Sequence, residues 1–355
     1  MARAVVELRG CTRDFGTVRA VDALDLAVHE GELLSLLGPS GCGKTTTLNL
    51  IAGFVAPSAG RVIVDGQDVT ARPPHERGLG VVFQSYALFP HMSVFENVAF
   101  GLRERRVAKS EIGRRVGEAL ALVRLQGQGE RRPRQLSGGM QQRAALARAL
   151  VYAPRVLLLD EPLAALDRKL RQEMRAELRE ILREVGITTV FVTHDQEEAL
   201  SLSDRIAVMN QGRIEQLGPP RDVYERPATR FVADFIGGSS RLRGRASAPD
   251  RVDLGAGVSV EVRLGRPLQV GEDVELGIRP ERVAVAPPGG AGASGTSRLA
   301  GRITRLTYLG AQTEVALAIA GGQSLLALVT EPSPMPLAVG GEVALALSPD
   351  AFLLL

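Results

Sequence analysis

Lysine is nearly absent from this chain. Of 43 basic residues only Lys44, Lys109 and Lys169 are lysine, so a lysine inside a recognisable motif is less readily an accident of composition. Cysteine is equally scarce: Cys11 and Cys42 are the two in 355 residues, too few for a disulfide framework. Cys42 also sits in a glycine-rich loop that a bridge would distort, so a reducing, cytoplasmic setting is expected. No apolar run approaches the about 18 residues that a membrane-spanning helix needs, and the opening MARAVVELRG lacks a signal-peptide core. The chain is therefore expected not to form a transmembrane path of its own. Neither sign of charge dominates. The net charge is +3 and the pI about 9.1, but acids are interspersed with the bases and no long basic run or aromatic-spaced stripe occurs, so no nucleic-acid partner is expected. With 45% hydrophobic and 23% charged residues, the length suits two ordinary globular domains.

What is present begins with GPSGCGKT at 38–45. It fits the phosphate-binding pattern G-x-x-x-x-G-K-[ST], in which glycines let backbone N–H groups turn inward onto phosphate oxygens at the start of a helix. Gly38, Gly41 and Gly43 supply the turn, and Pro39, Ser40, Cys42 and Thr46 complete the loop, which by itself indicates a nucleotide and leaves kinases, GTPases and motor ATPases open. Lys44 is placed to neutralise the β- and γ-phosphates, and the Thr45 hydroxyl to ligate Mg²⁺. Leu33 to Leu37 reads as the buried strand before the loop, and Thr46 to Ala52 as the helix after it.

A second stretch, VLLLDEP at 156–162, has the continuous apolar run of a strand buried on both faces, followed by two carboxylates where it emerges. Asp160 suits a water-mediated Mg²⁺ contact and Glu161 a general base that polarises the attacking water.

A third, LSGGMQQR at 136–143, reads physically as an anion-binding helix start with Ser137 as N-cap and Gly138 and Gly139 allowing close approach. This stretch resembles the signature sequence of ABC-type ATPases, with Met140 in place of the usual Gln. The resemblance implies a P-loop ATPase fold with a helical subdomain, and a homodimer in which Ser137, Gly138 and Gly139 touch the ATP held by the second copy. It further implies that Phe15 stacks on adenine and that Gln84 reaches toward Mg²⁺ and water. His194 then contacts the γ-phosphate, and Asp167 belongs to the loop crossing the dimer interface. That loop commonly begins with Ser, where Ala164 stands here.

The chain is expected to divide into an ATPase domain at 1–238, with its helical subdomain at about 90–150, and an all-β domain at 239–355. In the first, strands are expected near 4–9 and 19–28. Ser110 reads as the cap of a helix with Ile112, Val116, Leu120 and Val123 at helical spacing, and 168–185 as an amphipathic helix. After about 240, strand-like runs alternate with Gly and Pro turns, and a Pro, Gly and Ser stretch at 287–297 reads as a loop. This tail, through GIRPERV and YLGAQTEV, resembles the transport-associated OB-like domain of one group of ABC importers, with a dimerisation or ligand-sensing role left open.

The resemblance as a whole implies an ATP-hydrolysing, peripheral subunit on the cytoplasmic face of the inner membrane. Two transmembrane permease subunits would dock near Tyr86–Met92, with an external solute-binding protein acting through them. The segments PPHERGLGVVFQSYALFPHMSVFENVAFGL and FVADFIGGS look most like ATPases of spermidine/putrescine importers. Iron(III), sulfate and sugar importers carry close variants, and an exporter or a soluble ABC ATPase without a membrane partner is the alternative class.

Overall fold

Three runs without charge, LLSLL, VLLL and TTVFVT, have no polar face to offer water, and all of their residues are buried. They form the centre of a six-stranded sheet in the order Arg213–Gly218, Arg205–Asn210, Leu33–Leu37, Thr188–Thr193, Val156–Asp160 and Leu79–Val82. Every neighbouring pair is parallel except the one at the Arg213–Gly218 edge. Parallel strands of this kind need cover on both faces, which helices and a second sheet provide. The computed structural model describes residues 3–288 and 296–355. Most of the loop expected at 287–297 therefore lies outside the described residues.

Register fixes where the functional segments emerge. Leu37 pairs with Thr193, Asp160 with Val192, and Val82 with Leu159. The segments starting at Gly38, Glu161, His194 and Phe83 thus leave four adjacent strands at one carboxyl edge, where open α/β sheets place their ligands.

A four-stranded antiparallel sheet, ordered Val18–His29, Ala4–Phe15, Ala59–Val64, Gln67–Asp68, accompanies it. Its first two strands outrun the expected 4–9 and 19–28. They continue as a hairpin to the Phe15–Val18 pair, with Gly16 left-handed at the turn and register shifts along the ribbon.

Between the sheet strands lie Val94–Glu104, Lys109–Leu122 and Gly138–Leu150, a helical group whose apolar sides share one core with the neighbouring strands. The first is closed by a capping box, Ser93 with Glu96. The second corrects the reading of Ser110 as a cap. The cap position is Ala108, with no side-chain hydrogen bond, and Ser110 lies inside the first turn. Val107 and Ile112 both join the core, a hydrophobic-staple arrangement that sets the start ahead of the hydroxyl. The helix Arg168–Val185 has the expected bounds, with Asp167 capping its start and Gly186 left-handed at its end. Among the described residues no helix is long and apolar enough to cross a membrane.

The chain separates into two compact units, Met1–Arg221 and Asp222–Leu355, and the expected division at 238/239 falls inside the second. That unit holds two five-stranded antiparallel sheets. One is ordered Val258–Glu261, Arg251–Gly255, Ser240–Ala248, Asp273–Ile278, Phe352–Leu354; the other Val283–Ala286, Glu342–Leu347, Ser297–Tyr308, Gln312–Ile319, Ser324–Thr330. Alternating burial along their strands feeds one common core. Arg279 explains why the residues from Asp222 go with these strands. Its buried guanidinium lies over the Tyr224 ring and donates to the carbonyls of Tyr224, Ala233, Ile236 and Gly238. Arg279→Met strands those carbonyls and should cost about 3 kcal/mol in denaturant unfolding of the full chain. A loss below about 0.5 kcal/mol, the scale of a neutral surface change, would deny the clasp its role.

Candidate active site

Glycine is a steric requirement of the loop at 38–46. A Cβ on Gly38 would collide with the Met209 carbonyl and one on Gly43 with the Ala20 carbonyl, while Gly41 and Gly43 are left-handed at φ 77° and 107°. The helix Lys44–Ala52 starts directly after Gly43 with no side-chain cap and no acid in its first turn. Its positive end thus has no compensating acid within the helix's first turn. Lys44 is 6% exposed, and its Nζ donates to the carbonyls of Gly38 at 2.7 Å and Pro39 at 2.9 Å, with Cys42 Sγ at 3.8 Å. The ammonium is folded over the loop, its charge held against carbonyl dipoles and, among the described residues, paired with no carboxylate. Cys42 and Cys11 are free and buried, and burial pushes both thiols up. Ser40 and Thr45 are exposed and Thr46 partly so.

Four strand ends bring a second group together. Thr45 Oγ1 donates to Asp160 Oδ1 at 3.2 Å. Gln84 Nε2 donates to Glu161 Oε2 at 3.3 Å, and His194 Nδ1 lies 3.1 Å from Glu161 Oε1. Glu161 is held at φ 44°, a left-handed backbone that costs about 1–3 kcal/mol for a non-glycine residue and clusters at functional sites. Its N–H donates to the Val192 carbonyl at 3.0 Å, so the neighbouring strand enforces the turn. Burial raises the pKa of Asp160, opposed by the Thr45 hydrogen bond, reinforced by the Glu161 charge and opposed by Lys44.

The remaining expected residues stand elsewhere. Phe15 ends its strand 47% exposed with the Arg13 guanidinium 4.4 Å from its ring centroid, so it is not a core residue. Ser137 and Asp167 cap the starts of Gly138–Leu150 and Arg168–Val185, accepting from Met140 N at 3.4 Å and Leu170 N at 3.0 Å. These residues, with Gly138 and Gly139, are on the starts of two other helices and not in the hydrogen-bonded group. The glycines also have a packing reason that the anion-binding reading missed: a Cβ on Gly138 would press Leu166, and one on Gly139 would touch Leu170 and Met174.

Two supporting residues escape sequence reasoning. Asn97, fully buried, takes the N–H of Phe89 and donates to the carbonyls of Phe89, Met92 and Ser93, fixing the end of the Tyr86–Met92 segment. An Asn inside a helix, where it is a poor former, was the available signal. Glu198, buried with its pKa raised by desolvation, accepts from Thr193 Oγ1 at 2.6 Å, and Thr193 Oγ1 accepts from Asp195 N at 2.9 Å. The pair braces the turn that carries His194.

The chain is similar to known proteins along most of its length. The family model described as "ABC transporter" matches residues 21–164, and the one described as "TOBE domain" matches 276–355. The spermidine/putrescine import ATP-binding protein PotA of Frankia alni is 53% identical over 341 residues, 91% of this chain and 72% of that protein. Its counterpart in Rubrobacter xylanophilus is 52% identical over 91% of this chain and 85% of that protein. The chain belongs to the ABC transporter ATP-binding protein family. Among solved structures, a dimeric ATP-binding cassette in a post-hydrolysis state bound to ADP and Pi is 33% identical at a TM-score of 0.54, covering 61% of this chain and 99% of that one. Another, cbiO1 from Clostridium perfringens, part of an ABC transporter complex, is 31% identical at a TM-score of 0.58 over 62% of this chain and 90% of that one. The ABC fold is thus carried by the first unit, while the TOBE match lies within the strand-rich second unit.

The raised pKa of Asp160 has a sign that this ABC ATPase can reveal. Where the folded pKa exceeds the unfolded one, ionisation in the folded state costs stability; the cost is absent below the unfolded value and complete above the folded one. At pH 7, in the absence of nucleotide, Asp160→Asn should raise the melting temperature by about 2 °C, with the gain vanishing in acid. A lower melting temperature at pH 7 would show that the carboxylate stabilises the fold.

Proposed function

We propose that this chain is the ATP-hydrolysing subunit of an importer for spermidine and putrescine. The observation that carries the reading is the meeting of Thr45–Asp160 and Gln84–Glu161–His194 at one sheet edge beside the loop that buries Lys44. Relatives that are about half identical along most of the chain are named for that cargo.

In this reading the loop amides and Lys44 bind the phosphates of ATP, and the exposed Phe15 ring stacks on its adenine. Glu161, oriented by Gln84 and His194, takes a proton from the attacking water, which adds to the γ-phosphorus as the bond to ADP breaks. Thr45 and Asp160 offer hard oxygens at hydrogen-bond spacing, which suits Mg²⁺. Among the described residues no group of three or more His, Cys, Asp or Glu is arranged to hold a metal, so such an ion would depend on phosphate oxygens as well. When bound it neutralises phosphate charge.

Ser137, Gly138, Gly139 and Asp167, which stand outside the hydrogen-bonded group, serve the nucleotide of a second copy. ATP then touches both copies only when they close, so binding favours closure and loss of the γ-phosphate releases it. Membrane subunits docked at Tyr86–Met92 would follow that cycle, placing this chain peripherally at the inner face of the membrane.

Glu161→Gln should retain ATP binding, lower hydrolysis by about 100-fold or more, and leave the chain dimeric with ATP by light scattering. Near wild-type turnover would contradict Glu161 as the base. Ser137→Arg should abolish hydrolysis while the monomer still binds nucleotide in fluorescence titration. Loss of binding by the isolated monomer would contradict a role across the dimer.

A further inference from the structure

The segment after Gln84 is tied at its two ends to two different helices. Asn97 fixes the far end, Phe89 to Ser93, onto Val94–Glu104, only a few residues away in sequence. The near end is held from much farther off. Tyr86 and Ala87 are consecutive non-glycine residues at φ 59° and 46°, a strained pair that persists only where its surroundings enforce it. Both of their carbonyls accept from one guanidinium. Arg148 Nη1 donates to Ala87 O at 2.7 Å, Nη2 donates to Tyr86 O at 2.9 Å, and the same group lies 5.7 Å from the Phe89 ring centroid.

Arg148 is in the last turn of Gly138–Leu150, the helix capped by Ser137. At a rise of about 1.5 Å per residue, Arg148 and Ser137 are about 16 Å apart along one helix. The planar fork of arginine grips two carbonyls at once, whereas a lysine ammonium would offer a point charge on a flexible stem.

We propose that Arg148 is the tether that passes displacement of Tyr86–Met92 into the helix bearing Ser137, and thereby links the docking segment to the position at which Ser137 meets the second copy's nucleotide. The input, a membrane subunit pressing on the segment, rests on the importer reading above; the link between segment and helix does not. Arg148 is a positioning residue, acting through a continuous chain of hydrogen bonds and a rigid helix.

Amide hydrogen exchange on the purified full chain tests the link. Arg148→Met should raise exchange of residues 85–92 by about tenfold, the scale of one lost charge-assisted hydrogen bond, with Arg148→Lys between it and wild type. Phe89→Ala, which disturbs the segment, should also raise exchange within Gly138–Leu150 when Arg148 is present, and leave that helix unchanged in the Arg148→Met background. In cells, Arg148→Met should reduce labelled spermidine uptake at least fivefold while hydrolysis by the isolated chain stays within about twofold of wild type, since Glu161 and the phosphate loop are untouched. The proposal is overturned if the segment exchanges as in wild type, if the Phe89→Ala disturbance reaches the helix equally without Arg148, or if uptake and hydrolysis fall in the same proportion. A wild-type chain that restores no uptake would sink the importer reading, and the exchange comparison would still decide the tether.

Discussion

The parallel register of four buried strands is the constraint on which everything else hangs. Because Val82 lies beside Leu159, Asp160 beside Val192, and Thr193 beside Leu37, four segments from distant parts of the sequence must leave the sheet side by side. Two of them are more than 100 residues from the phosphate loop in the chain, yet the sheet delivers Asp160 to Thr45 and His194 to Glu161 within hydrogen-bond reach. The strands do this with buried, uncharged residues, so their sequences can be plain while the residues just past their ends carry the chemistry.

Part of the chain's backbone strain lies in the segments past those ends, with further left-handed non-glycine residues such as Ala23 and Asp65 elsewhere. Glu161, Tyr86 and Ala87 are left-handed without being glycine, and each is enforced by a partner elsewhere: the Val192 carbonyl for Glu161, the Arg148 guanidinium for the other two. Asp160 carries an electrostatic cost through burial. A fold that stabilised itself alone would relax these places. Asp160 and Glu161, beside the phosphate loop, fit a site arranged for a ligand that brings its own negative charge and is later cut.

Much of this was legible in the sequence, for identifiable reasons. The glycine loop, the buried strands and the helix 168–185 declare themselves through short-range pattern alone, because steric need for glycine and burial of apolar faces act locally. The cap of the helix after Val107 was misread, since the core contacts of Val107 and Ile112, rather than the nearest hydroxyl, decide where that helix begins. The packing of Gly138 and Gly139 against Leu166, Leu170 and Met174 was hidden behind a sufficient reason of another kind. Arg148, Arg279 and Glu198 were invisible for a deeper reason. Each grips backbone or a hydroxyl to fix another segment, and in an arginine-rich sequence nothing local separates a gripping arginine from a solvated one.

The central question is whether ATP chemistry at Glu161 drives import of a polyamine. Uptake of labelled putrescine, spermidine, Fe³⁺, sulfate and maltose should be compared in a strain lacking this gene and in the same strain carrying the wild-type chain or Glu161→Gln. Putrescine and spermidine uptake should fail in the deletion and return with the wild-type chain alone. Polyamine uptake that is untouched by the deletion, or that the Gln variant restores in full, would contradict this reading.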